Sequence, residues 1–109
     1  MKRFCFITLL ILLTLVSLPT QIHAENSFNI YMDDFYSKSN EANKILKDIE
    51  KNLKEGSREK VCTRQREAAR LGIIANTSLV KAYKTIGEEP PIEVINASKN
   101  RWESLLNKC

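Results

Sequence analysis

The amino-acid sequence predicts an all-α protein: a small up-down-up three-helix bundle, stapled by one disulfide and preceded by a signal peptide. Three observations predict it. From Phe28 onward apolar residues recur at steps of three and four, the spacing of one face of a helix. Gly56 and the run Gly87-Glu88-Glu89-Pro90-Pro91 cut that pattern into three stretches, at residues that end or begin helices. Two cysteines, Cys62 and Cys109, remain once the leader is set aside, at positions that suit a staple.

The leader is read over residues 1–24. Lys2 and Arg3 precede an apolar run from Phe4 to Leu18, and Pro19 and a polar segment close on Ile22-His23-Ala24, the layout of a cleaved secretory signal. Cleavage is expected after Ala24. The apolar run is shorter than the roughly 20 residues a bilayer-spanning helix needs, so the uncleaved, membrane-tethered form is the alternative. The mature domain is then residues 25–109, exported to a periplasm, a lumen or the extracellular space, with no stable membrane span.

The first helix is expected over about residues 28–55. Phe28, Met32, Phe35, Ser39, Ala42, Leu46, Ile49 and Leu53 alternate steps of four and three, and seven of these eight are apolar, which makes a seam. Tyr31 and Ile45 widen it. Lysines and acids fill the other face, with Lys44/Asp48, Glu50/Lys54 and Lys51/Glu55 four apart, where side chains of opposite charge pair along a helix. Asp33 and Asp34 read as helix-start or surface acids. Gly56 is the stop.

The second helix, expected over about residues 58–86, is the element the others are built around. Ser57 is the expected N-cap, with Glu59 in the first turn where the helix dipole favours an acid. Its apolar residues are spread too broadly for one stripe, so two faces must be covered. Ala68, Ala69, Gly72 and Ala75 are small and admit a neighbouring helix closely. A mid-helix glycine costs about 1 kcal/mol relative to alanine, so Gly72 points to such packing or to a bend. Gly87 is the C-terminal cap.

The third helix is expected over about residues 91–108, since proline suits the first helical position. Ile92, Ile95, Trp102, Leu105 and Leu106 form its expected buried face, with Trp102 as the anchor. If the second and third helices make an antiparallel hairpin, the start of one lies beside the end of the other, where Cys62 and Cys109 sit. An even pair of cysteines in a small exported domain reads as one disulfide. It closes a loop of roughly 48 residues, worth about 4 kcal/mol in the chain-entropy account.

Composition bears on function mainly by exclusion. The full chain has 17 basic and 13 acidic residues. Lys2 and Arg3 leave with the leader, so 15 basic residues face the same 13 acids, too even a balance for the concentrated basic stripe of a nucleic-acid binder. His23, the only histidine, leaves as well. That removes the ready general base near neutral pH and the ligands for a zinc site. No catalytic residues, metal or cofactor are expected, and the protein is read as non-enzymatic.

The expected role is that of a protein-binding or accessory module, of the inhibitor, immunity or envelope-complex subunit type, with another protein of the exported compartment as partner. Its candidate contact is Arg64, Arg66 and Arg70, because guanidinium groups hold carboxylates or phosphates bidentately. The alternative is a carrier of a small apolar or anionic ligand in an interhelical groove, with Tyr31, Tyr36 and Tyr83 as candidate lining. Asn76-Thr77-Ser78 and Asn96-Ala97-Ser98 match the N-glycosylation pattern and are read as ordinary helix-surface residues.

Overall fold

Helices fill this chain because its apolar residues keep helical spacing and two of its three glycines, Gly56 and Gly87, stand at the ends of stretches. A computed structural model describes the backbone of residues 2–108 and the side chains of residues 25–108. The expected leader at residues 1–24 and Cys109 lie outside the residues described with side chains. There are three helices, α1 (Lys2–Lys54), α2 (Val61–Thr85) and α3 (Ile92–Asn107). Among the described residues α2 packs against both α1 and α3, while the backbones of α1 and α3 do not meet.

α1 and α2 end in the same way. At the end of α1, the Ser57 amide donates to the Asn52 carbonyl at 2.8 Å and the Gly56 amide to that of Leu53 at 3.1 Å. At the end of α2, the Glu88 amide donates to Tyr83 at 3.1 Å and the Gly87 amide to Lys84 at 3.2 Å. Both are Schellman closures, which need a left-handed residue at the turn. Gly56 and Gly87 supply it, with φ of 83° and 69°.

The first of these closures corrects the expected start of the second helix. Ser57 is taken up in finishing α1 and does not cap α2. The chain runs on until Lys60, at φ 57°, stands before Val61, with no side-chain cap and no acid in the first turn. Glu59 therefore falls outside the helix.

The α1–α2 packing is antiparallel with one register. Ser78 of α2 meets Asp34 of α1. Fourteen residues further along α1 and fourteen back along α2, Asp48 meets Arg64 at 3.6 Å. Lys81 over the ring of Tyr31, at 6.0 Å from its centroid, fits the same register. Asp48, expected to pair with Lys44 along its own helix, thus turns to α2, while the Glu50–Lys54 pair forms at 3.4 Å. Ala42 and Ile49 of the predicted seam are buried, and Phe28, Met32, Phe35, Ser39 and Leu46 are half-buried. Leu53 is 45% exposed, because α2 begins too late to cover it.

The α2–α3 packing is antiparallel too. Gln65 donates to the Leu105 carbonyl at 3.0 Å, and Asn76 donates to Ser98 Oγ at 3.1 Å. Between these contacts the Trp102 ring lies on Gly72. A Cβ built on Gly72 would stand 2.2 Å from Trp102 Cε2, nearer than real Cβ contacts come. The small residues do what their size allows: Ala42, Ala68, Ala69 and Trp102 form one buried cluster, with Ile45, Leu46, Leu71, Ile73, Leu105 and Leu106 packed around it. Ile92, expected on the buried face of α3, is 57% exposed. It opens the helix, ahead of the turn in which Ile95 makes the first buried contact.

Candidate functional site

The three candidate arginines do not form one group. Residues 64 and 66 lie two positions apart on a helix, hence on divergent sides, whereas 66 and 70 are separated by about one turn. Arg64 is drawn to Asp48 of α1 and is partly buried. Arg66 and Arg70 stand on the exposed side of α2. The same side carries two cations that the sequence reading did not include, Lys81 and Lys84, both exposed. Helical spacing places Arg66, Arg70, Lys81 and Lys84 along one ridge. Glu67 is the only acid in α2. Ile74, 46% exposed, sits midway along this ridge.

The candidate tyrosines are dispersed along the α1–α2 seam. Tyr83 makes an edge-on contact with Phe28, with ring centroids 6.4 Å apart. Tyr31 lies under Lys81. Tyr36 is 57% exposed and packs edge-on against Phe35 at 5.2 Å.

None of these tyrosines lines either of two grooves found among the described residues. One, of about 200 Å³, runs over α2 in the gap between α1 and α3; Phe35, Leu79 and Trp102 are among its apolar walls, and Asn76, Ser98 and Arg101 among its polar ones. The other, of about 260 Å³, lies between α2 and α3 beside Ile73, Val80 and Lys99.

Polar groups tie the helices together beside these grooves. Asn76 is 7% exposed, so the expectation of an ordinary surface residue is corrected at this position. α3 covers it, and Ser98, part of the other glycosylation-type triplet, bonds to its amide. Asn96 is exposed.

Asp34 also does more than a surface acid. It accepts hydrogen bonds from Lys38 and from Ser78 Oγ, the latter at 2.5 Å. The bond from Lys38, with help from Ser78 and the charges of Lys38 and Lys81, holds its carboxyl below the usual range against a smaller opposing effect of desolvation.

Among the described residues no group of three or more His, Cys, Asp or Glu side chains is placed to hold a metal ion, and no helix is long and apolar enough to cross a membrane. Cys62 is exposed at the start of α2, and Cys109, its expected partner, lies outside the described residues. Comparison of the chain with protein families, with curated proteins and with solved structures gives no match.

Sequence reasoning missed Arg101, Asn76 and Ser98 as a group. Each stands alone in the chain, and only the gap between α1 and α3 brings them to one groove. Lys81 and Lys84 were within reach, since they continue the helical spacing of Arg66 and Arg70.

Proposed function

We propose that this chain is an exported, non-enzymatic helical module that binds another protein outside the cytoplasm, through the basic ridge of α2. The observation that carries the reading is the segregation of charge on the central helix. Arg66, Arg70, Lys81 and Lys84 are exposed on one side, and Glu67 is the helix's one acid. A row of cations spaced by helical turns on a packed scaffold suits an acidic protein face. Complementary charge of this kind speeds encounter and selects partners more than it adds affinity.

The proposal includes a Cys62–Cys109 bridge. Gln65, three residues after Cys62, bonds to Leu105 of α3, and this antiparallel packing of α2 and α3 supports the pairing. The bridge would fix the end of α3 against the start of α2, a few residues from Arg66, and so hold that end of the ridge rigid.

The test is native mass spectrometry of the protein isolated from its own exported fraction, beside the Arg66→Glu/Arg70→Glu variant. The expected result is a mature chain starting at Glu25, lighter by two hydrogens, in complex with a second protein that the double variant no longer holds. The variant should keep its helicity and thermal stability within about 0.5 kcal/mol, since both positions are exposed. A complex that survives the charge reversal removes the ridge as the contact. Turnover of a substrate by the purified chain removes the non-enzymatic reading.

A further inference from the structure

We infer that the groove between α1 and α3 is a binding site for a small monocarboxylate with a compact apolar body, with Arg101 as its anchor. This is independent of the ridge, which lies on the other side of α2.

The size of the groove limits the ligand. Its volume is about 200 Å³. That is below the roughly 300–1,000 Å³ of sites for drug-sized molecules but above the roughly 150 Å³ that holds benzene in an engineered cavity. A ring or a short branched chain fits, with one small polar group attached.

The chemistry of the lining chooses that group. Phe35, Leu79 and the Trp102 ring give apolar surface to the body of the ligand. No acid lines the groove and Arg101 is its only cation, so a cationic ligand finds no counter-charge and a single anion finds one. The Arg101 guanidinium lies over the Trp102 ring, with its carbon 5.3 Å from the centroid, within cation–π range. None of the ion pairs among the described residues uses Arg101. A guanidinium presents its N–H groups as a planar fork, and a carboxylate matches that fork.

Asn76 supplies the second polar contact. It is 7% exposed, and its amide nitrogen donates to Ser98 at 3.1 Å, which uses one of two N–H groups. Its Oδ1 in turn accepts from Ser98 Oγ at 3.4 Å, and the side chain lines the groove with Arg101. An amide on the wall can also donate to an acceptor that a ligand brings.

The chain's only tryptophan, Trp102, is part of this wall and reports on it directly. The experiment titrates the purified protein with phenylacetate and with its neutral isostere phenylacetamide. It follows Trp102 fluorescence and checks each affinity by calorimetry, with Arg101→Gln and Arg66→Gln as variants. The expected result is saturable binding of phenylacetate about tenfold tighter than of the amide. Arg101→Gln should remove that difference and Arg66→Gln should leave it. Equal affinity for acid and amide in the unaltered protein overturns the site without recourse to a variant. So does the absence of saturation, an equal loss in both variants, or binding confined to peptides ending in phenylalanine. Loss of a protein partner on charge reversal at Arg66 and Arg70 tests the ridge alone, so the two readings fail separately.

Discussion

Asp34 shows how one side chain can join two helices without being buried. It receives Lys38 from its own helix and Ser78 from α2, and its side chain is 35% exposed. Solvent screens part of such an interaction. Asp34→Asn keeps the shape but weakens both bonds, and a loss of about 1 kcal/mol is expected.

The pH dependence follows from the direction of its shift. A carboxyl whose pKa is lowered by folding adds stability above its unfolded pKa, and that stability is lost as pH falls through the folded value. Urea unfolding of wild type and variant should differ at pH 7 and converge as the solution is taken below about pH 4, the ordinary carboxylate range. A gap that stays constant into acid would show that Asp34 acts by shape alone. Asp34 read as a surface acid in the sequence because its partner Ser78 lies 44 residues away, a distance no local pattern spans.

At the scale of elements, the stops at Gly56 and Gly87 were legible and the start of α2 was not. Gly56 and Gly87 were readable because a left-handed turn is a local demand that glycine meets at little steric cost. The start of α2 was misread because Ser57 suits two tasks, and its amide closes the preceding helix. The small residues of α2 were also legible as a packing surface, though only the fold shows that Gly72 faces Trp102.

That contact yields a prediction with an unusual sign. Gly→Ala inside a helix ordinarily stabilises by up to about 1 kcal/mol. Here the new methyl would enter the indole ring, and overpacking of this kind costs about 1–3 kcal/mol. Gly72→Ala should therefore lower stability in urea unfolding and shift Trp102 emission as α3 is pushed away. A stabilised variant with unchanged emission would mean that the indole is not held against this helix.

The whole molecule is arranged about α2. Export and the bridge were read from the leader and from Cys109, both outside the residues described with side chains, and they are proposals from the sequence. The fold class was legible because three amphipathic stretches joined by short turns have few ways to cover one another. The basic ridge was legible in part, at Arg66 and Arg70. The groove was not, because its Phe35, Asn76 and Arg101 come from three separate helices.

The packing of α2 against two neighbours whose backbones do not meet has a thermodynamic consequence: to a first approximation the molecule is a linear chain of two interfaces, as in repeat proteins whose units touch only the next. Damage on one side of α2 should be felt on the other mainly through α2 and through the cluster that Ala42 of α1 and Trp102 of α3 share with it. Combining Asp34→Asn, which acts on the α1 side, with Ser98→Ala, which acts on the α3 side, should give a stability change equal to the two single changes within about 0.5 kcal/mol. A larger coupling energy in that double-mutant cycle would make α2 a rigid transmitter between its two faces. Independence would leave each face to evolve its own contacts on a shared wall.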